Sequence, residues 1–197
     1  MIKKFFDKDD QQLIAKLAEH YRAIIELIGE DPDREGLLKT PERAAKALIE
    51  NTMGYSQDAE AVVRSAIFEH PGSEIVVVKD IEFYSLCEHH ILPFFGTVSI
   101  GYIPDGSIVG LSKLARVVET YARRLQVQER MTDEICQLLT RVLSSQGVIV
   151  VAKAQHMCMM MRGVEKQHSA TVTMQYSGAF QDVNMRAEFF RMLEAQK

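Results

Sequence analysis

Apolar residues recur at helical spacing near the amino terminus. They repeat every three or four positions, which predicts an amphipathic helix capped by Asp9 or Asp10 and ended by Gly29. The members of this stripe are Ile14, Leu17, Ala18, Tyr21, Ile25 and Ile28. The role expected of this helix is packing.

A second helix is predicted after a turn-rich stretch. Thr40, a cap residue, precedes Pro41 and an acidic residue, a pattern typical of a helix start, and the helix is expected to run to about Met53. A loop with the sequence HPG at residues 70–72 then marks a change of pattern. We therefore expect residues 1–70 to form an N-terminal helical region.

The remainder of the chain, residues 71–197, alternates strands and helices. The predicted strands are residues 75–84, 97–102, 148–154 and 169–176. Between the second and third strands lie two apolar stripes at helical spacing: Leu114, Val117, Val118, Tyr121 and Leu125, then Ile135, Leu138, Leu139, Val142 and Leu143, with Gly147 as the helix end. A last helix is expected at about 186–193. This order predicts an α+β domain whose antiparallel sheet is covered by helices on one face and has edges open to assembly.

Composition fits one compact enzyme domain with a helical appendage. The 197 residues are 47% hydrophobic, and the net charge of −4 argues against a chain built to coat nucleic acid. No apolar run approaches membrane-spanning length, and charges interrupt the first residues, so we expect no membrane partner. Three cysteines do not make a disulfide framework, which favours the cytoplasm, and Cys136 is predicted to be a core residue.

Two short segments about seventy residues apart concentrate the cysteines and histidines. Residues 87–90 have the sequence CEHH, and residues 156–158 have the sequence HMC. Thiolate and imidazole are preferred zinc ligands, and a catalytic zinc uses three protein ligands with one position open. Five candidate donors for three places leave imidazoles that can move protons beside the metal.

The spacing of these donors favours a catalytic zinc. A structural Cys2His2 cage would normally use two similarly spaced pairs, which HMC does not provide. The step from Cys87 to His90 suits a tight loop, and alternation on a strand would direct His156 and Cys158 to one face. A structural zinc and a metal-free protein are the alternatives.

Cations at a predicted helix start indicate an anion site. In the sequence GLSKLAR at residues 110–116, Ser112 is a candidate N-cap, while Lys113 and Arg116 lie where the helix dipole is already positive. That placement is unfavourable without an anion, so a phosphate site is one interpretation and solvated surface charge is the other. Arg162, shortly after the second metal segment, could reach an anion near the metal.

A polar segment with the sequence QVQER, residues 126–130, joins the two central helices. A carboxylate next to an amide, as in Gln128 and Glu129, could bind the hydrogen-bonding edge of a purine. On the segment alone, an ordinary helix-starting acid is the favoured alternative.

Together these stretches resemble GTP cyclohydrolase I along nearly the whole chain. The matching stretches are CEHHxLPF at 87–94, YIP at 102–104, GLSK at 110–113, QVQER at 126–130, and HxC at 156–158 followed by RG at 162–163. Their order and spacing are more specific than any one of them. The resemblance implies a tunnelling fold, in which four-stranded antiparallel sheets of several subunits, each with two helices on one face, close a barrel. It also implies a homodecamer of two pentamers with sites at subunit boundaries.

The resemblance also implies roles for individual residues. The implied Zn²⁺ ligands are Cys87, His90 and Cys158. The implied catalytic imidazoles are His89 and His156. The implied triphosphate contacts are Ser112, Lys113, Arg116 and Arg162, and the implied guanine contacts are Gln128 and Glu129. Arg43 resembles an arginine that the family supplies across a subunit boundary.

The implied reaction converts GTP and water to 7,8-dihydroneopterin triphosphate and formate, the first step of pterin and tetrahydrofolate biosynthesis. A noncatalytic zinc-structured nucleotide-binding module is an alternative, but it would not need two extra imidazoles. Nitrile reductases of the same fold use a nucleophilic cysteine without zinc, and pterin synthases of that fold hold zinc with histidines. Two thiolates with one imidazole favour the cyclohydrolase over both.

Overall fold

A computed structural model describes residues 10–195. Asp9, the alternative cap of the first helix, lies outside the described residues. Internal contacts divide the chain into two units, Met1–Gln57 and Asp58–Lys197. Residues 58–70, which the sequence pattern grouped with the helical region, fall in the second unit by this division.

The first unit is helical, as predicted. It contains α1 (Gln11–Leu27), α2 (Thr40–Asn51) and a 3-10 turn (Met53–Ser56). The predicted cap of α1 is confirmed, because Asp10 Oδ1 accepts hydrogen bonds from the backbone N–H of Gln12 at 2.9 Å and of Leu13 at 3.1 Å. Gly29, with φ of 88°, follows the end of this helix.

Helix α2 differs from its prediction at both ends. Its N-cap is Lys39, so Thr40 lies inside the first turn, and the helix ends at Asn51, short of Met53. The two helices share a small core. Its members are Ile14, Ala45 and Ile49, with Leu13, Leu17, Ala18 and Tyr21 packed against them.

The second unit holds the sheet. Its elements are α3 (Ala59–Arg64), β1 (Ile67–Glu69), β2 (Val76–Cys87), β3 (Pro93–Pro104), β4 (Ser107–Val109), α4 (Leu111–Ala122), β5 (Leu125–Gln126), α5 (Gln128–Val142), β6 (Ser145–His156), α6 (Met157–Met160), β7 (Thr171–Tyr176), a 3-10 turn (Gly178–Gln181) and α7 (Val183–Glu194). Strands β2, β3 and β6 are longer than predicted, and α3, β1 and β4 were not predicted.

The main sheet has the order β5-β2-β3-β6-β7, and β1 pairs with β4 separately. All neighbours in the main sheet are antiparallel except β2 and β5. The predicted α+β fold with a four-stranded antiparallel sheet is confirmed, with the two-residue β5 added at one edge. Leu125 was expected on α4 but belongs to β5, because α4 ends at Ala122.

Helices α4 and α5 cover one face of the sheet, as predicted. The buried side chains between them include Val98, Ile100, Val150, Leu114, Val117, Met131 and Ile135. The opposite face is not bare along its whole length. Phe180 and Phe189, from the last 3-10 turn and α7, are fully buried against Ile103 and Ile149. The terminal helix therefore supplies a second, smaller core on the other face.

Gly147 was predicted to end a helix, and this is wrong. Helix α5 ends at Val142, and Gly147 lies inside β6. A Cβ at this position would lie 2.7 Å from both Ser177 O and Ala179 N. The glycine therefore permits close approach of the chain after β7.

Part of the second sheet face is apolar and exposed. Tyr84 and Phe95 stack there with ring centroids 6.1 Å apart, and Tyr84 is 54% exposed. On the edge strand β7, which β6 separates from β3, Val172 and Met174 are also exposed. Within residues 10–195, no helix combines the length and apolar character needed to cross a bilayer.

Candidate metal centre

The loop after β2 presents two donors from one tight turn. Cys87 is the last residue of β2, and its carbonyl accepts from the N–H of His90 at 3.3 Å and of Ile91 at 2.8 Å. Ile91 adopts φ of 55°, and the N–H of Cys87 donates to Leu92 O at 2.8 Å. The predicted one-turn step from Cys87 to His90 is confirmed.

Cys158 completes a group of three donors. The ligand atoms of Cys87, His90 and Cys158 all lie within 4.8 Å of one another. Cys87 is buried, Cys158 is half-buried and His90 is exposed, so the group lies at the protein surface with one side open. The two segments that the sequence singled out therefore meet in space.

The donor set fits zinc in both chemistry and spacing. Tetrahedral zinc with ordinary Zn–S and Zn–N bonds places sulfur and nitrogen ligands about 3.6 Å apart. Cys87 Sγ and His90 Nδ1 are 4.0 Å apart. Two thiols and one imidazole form a three-ligand set of the kind found in catalytic zinc sites, which leave a fourth position open.

The route that brings Cys158 to the group differs from the prediction. Strand β6 ends at His156, and Cys158 lies in the following helical turn α6, so the two residues do not alternate on one strand. The pKa of the Cys158 thiol is raised by burial and by Cys87, and Arg162 opposes this shift. Arg162 therefore favours the thiolate form, which is the form that binds metal.

His89 lies beside the group but is not a member of it. Its Nδ1 is 3.9 Å from Cys87 Sγ, yet its side chain is 63% exposed. Its ring is also close to edge-on to that of His90, with 6.2 Å between centroids and 79° between planes. His89 is thus an accessible imidazole next to the three donors.

His156 occupies a more enclosed position. Its ring lies parallel to that of Phe94, with 4.7 Å between centroids and 1° between planes. Its Nε2 is 2.8 Å from Oε1 of Gln128. Burial lowers the pKa of His156, and Glu129 opposes this shift. The imidazole is therefore held on one face and at one nitrogen.

Gln128 was predicted from its motif, but its surroundings were not. The residue is 1% exposed, and its Nε2 lies 3.1 Å from Ala152 O, Thr171 O and Thr173 Oγ1. Two backbone carbonyls, the Thr173 hydroxyl and the His156 ring therefore surround its side-chain amide. Its neighbour Glu129 lies in the first turn of α5, the position given by the alternative interpretation of this acid as part of a helix start.

A further polar network, which the sequence did not reveal, supports the metal loop. Arg130 donates to Glu88 Oε2 at 2.5 Å, to Gln126 Oε1 at 2.9 Å and to Leu125 O at 3.1 Å. The N–H of Glu88 donates to Gln126 O at 3.0 Å. The only feature of the sequence that could have indicated this network is the opposite charge of Glu88 and Arg130, which both lie inside motif stretches.

The expected anion residues lie on the first turns of α4. The N-cap is Gly110, so the predicted N-cap role of Ser112 is wrong, and Ser112 is the second helical residue. Within residues 10–195, no carboxylate forms an ion pair with Lys113 or Arg116. These two cations therefore lie near the positive end of the helix dipole without an acidic partner among the described residues.

Two other predicted residues are also exposed. Arg162 lies shortly after α6, close enough to influence Cys158, and makes no ion pair with the described residues. Arg43 lies on α2 in the first unit, with its side chain exposed.

The family is decided by a comparison with family models. The model described as GTP cyclohydrolase I matches residues 17–194. The chain belongs to the GTP cyclohydrolase I family. The matched range contains every residue of the metal group and every residue that the motifs singled out.

Curated relatives match the sequence of this chain over almost their full length. The GTP cyclohydrolase 1 of Porphyromonas gingivalis is 53% identical over 94% of this chain and 96% of its own. That of Parabacteroides distasonis is 56% identical over 90% and 91%, and the GTP cyclohydrolase 1 1 of Pseudomonas aeruginosa is 53% identical over 92% and 98%. Among solved structures, the apo form of an archaeosine synthase QueF-like protein is 19% identical, with a TM-score of 0.43 over 53% of this chain and 94% of that one.

Proposed function

We propose that this protein converts GTP and water to 7,8-dihydroneopterin triphosphate and formate with the help of zinc, the first step of pterin and tetrahydrofolate biosynthesis. Its membership of the GTP cyclohydrolase I family supports this substrate and reaction. The single observation that carries the proposal is the convergence of Cys87, His90 and Cys158 within 4.8 Å. Two further imidazoles accompany it: that of His89, whose Nδ1 is 3.9 Å from Cys87 Sγ, and that of His156, two residues before Cys158 in the sequence.

Cys87, His90 and Cys158 would hold the zinc ion. Zinc bound by three protein ligands supplies hydroxide near neutral pH, because it lowers the pKa of water to about 7. Release of formate removes carbon 8 of guanine, so the adjacent nitrogen of its five-membered ring must be protonated. His89 and His156 are the groups that would hold and deliver that proton.

The triphosphate would bind at the start of α4. Lys113 and Arg116 have no ion-pair partner there within residues 10–195, and Ser112 adds a hydroxyl at the same helix end. Arg162 would add a charge close to the metal group, and Glu129 would accept hydrogen bonds from guanine. Charge on the triphosphate lies remote from the reacting ring, so its binding energy would serve to orient the base.

The active form would be a homodecamer of two pentamers in which sheets of neighbouring subunits close a barrel. The exposed apolar face around Tyr84 and Phe95 supports association, since a single subunit leaves it in water. Among the described strands, β7 pairs only with β6 and therefore keeps an open edge. Arg43 would reach the site of an adjacent subunit. The cytoplasm is the proposed location, supported by three free cysteines.

One assay tests the reaction. Purified protein is incubated with GTP, and formate and the fluorescent oxidised neopterin product are measured beside zinc content. We expect both products in equal amounts, one zinc per subunit, and loss of turnover after chelation that added zinc reverses. ATP should yield no formate. A zinc-loaded protein that releases no formate from GTP would contradict the proposal.

A further inference from the structure

The amide of Gln128 can adopt only one orientation. Its Nε2 lies 3.1 Å from two backbone carbonyl oxygens, those of Ala152 and Thr171, which can only accept hydrogen bonds. If the amide were turned over, its own oxygen would face both carbonyls with no proton between them. The NH₂ group therefore faces the strands, and the oxygen Oε1 faces His156.

The hydroxyl groups around this amide are consistent with the same orientation. Thr132 Oγ1 donates to Gln128 O at 2.8 Å and lies 2.6 Å from Thr173 Oγ1. With the Thr132 proton used in this way, Thr173 donates to Thr132 and keeps a lone pair for the Gln128 NH₂ group, 3.1 Å away. Each donor among the Thr132, Thr173 and Gln128 side chains then has an acceptor.

The orientation of Gln128 fixes the tautomer of His156. Oε1 of Gln128 can only accept, and it lies 2.8 Å from Nε2 of His156, so Nε2 must carry the proton. In the neutral ring the proton-free nitrogen is then Nδ1. Stacking on Phe94 holds the plane of the ring. We infer that Gln128 is a positioning residue that commits His156 to exchange protons through Nδ1.

This inference deepens the proposed function, and its kinetic consequence rests on that function. It also differs from the guanine contact expected for Gln128 from the family resemblance. A guanine contact requires an amide that is free to meet the substrate, whereas this amide is 1% exposed and bonded within the protein. The two roles predict different results for the same variant.

The tautomer can be measured without substrate. Nitrogen-15 NMR of the zinc-loaded enzyme labelled at histidine would identify the His156 signals by their loss in His156→Asn. We expect Nε2 to be protonated and Nδ1 unprotonated in the wild type, and a mixture of tautomers in Gln128→Met. A wild-type ring that carries its proton on Nδ1 would overturn the inference, whether or not the variant folds.

Kinetics then separate positioning from substrate contact. Gln128→Met should lower kcat for formate release by on the order of ten-fold with little change in KM, because the hydrogen bond lost is not to GTP. The same change in a His156→Ala background should cause no further loss. A raised KM, or an equal loss in that background, would assign Gln128 to guanine and overturn the inference.

The matched control is Gln137→Met, the same substitution at an exposed position of α5 where the amide donates to Asp133. It should leave both kcat and the His156 tautomer unchanged. If the wild-type enzyme releases no formate from GTP, the proposed function fails, and the NMR result alone decides the role of Gln128.

Discussion

Arg130 and Glu88 form an ion pair that joins the start of helix α5 to the metal loop, with 2.5 Å between Nη2 and Oε2. Glu88 lies between Cys87 and His89, and Arg130 also bonds to Gln126 and Leu125 on the adjacent edge strand. Both charged side chains are a third or more exposed, so the pair contributes little to overall stability. We expect its effect to be on the geometry of the loop.

The first prediction concerns this pair. Arg130→Leu should lower zinc affinity by about ten-fold, because partners that orient ligand-bearing segments typically affect metal binding by that amount or more. Competition with a chromophoric chelator measures the affinity. Arg141→Leu, on the same helix and paired with Glu60 at 3.2 Å, is the control and should bind zinc as the wild type does. Unchanged affinity in Arg130→Leu would show that the pair does not hold the loop.

The second prediction concerns the ligand that follows β6. Cys158→Ser should give a folded oligomer without bound metal and without turnover, since a hydroxyl is a far poorer zinc ligand than a thiolate. Cys136→Ala is the control and should keep its zinc, because burial raises the pKa of the Cys136 thiol to about 11 and the residue packs in the core. Full zinc content in Cys158→Ser would remove this residue from the ligand set.

The third prediction separates the adjacent histidines of the loop. His89→Ala should keep one zinc per subunit and lose formate release by a factor of about a hundred or more, as expected for a general acid. His90→Ala should lose the metal, because the His90 imidazole belongs to the three-donor group. Metal analysis of both purified variants gives the answer. The reverse pattern would mean that ligand and acid have been exchanged.

The fourth prediction tests the anion site at α4. Lys113→Ala and Arg116→Ala should each raise KM for GTP by about ten-fold, because each removes a charge-assisted hydrogen bond to phosphate. Turnover of guanosine, which has no phosphates, should be insensitive to both. Arg123→Ala, at the opposite end of the same helix, is the control. Equal losses with GTP and guanosine would contradict the phosphate assignment.

The fifth prediction concerns the second core. Gly101→Ala should lower stability by about 1–3 kcal/mol, because the added methyl group would lie 2.7 Å from Phe189 Cδ2 and 2.9 Å from Ile149 Cγ2. Thermal unfolding at a fixed protein concentration measures the loss. In a Phe189→Leu background the same change should cost less, since the ring is gone. An equal cost in both backgrounds would place the strain elsewhere.

Periodicity was sufficient to predict most of the fold. The stripes of α1, α4 and α5 face cores over most of their length, because burying one apolar face of a helix is a local property of its sequence. Ile28, the last predicted member of the first stripe, is the exception, since it follows the end of α1 and is 75% exposed. Element ends were less predictable. Gly147 follows an apolar stripe and therefore matches the local pattern of a helix end. The feature that requires glycine there is the backbone at Ser177 and Ala179, which no local pattern contains.

The candidate site was predictable by residue type more than by geometry. The donors Cys87, His90 and Cys158 meet as their chemistry suggested, although Cys158 arrives from a helical turn. The surroundings of Gln128 could not be predicted, because its partners come from β6 and β7, well beyond it in the sequence. Such contacts depend on the register between strands, which the motif alone does not contain.

That register has a consequence for how the protein folds. Cys87 and Cys158 are about seventy residues apart. Cys87 ends β2, Cys158 follows the end of β6, and β3 lies between these two strands, with Leu86 paired to Pro93 and Phe94 to His156. The three donors can meet only after these distant strands have paired, so zinc cannot serve as an early nucleus. Zinc added during refolding should therefore leave the rate of sheet formation unchanged. Zinc bound to the folded protein should slow its unfolding.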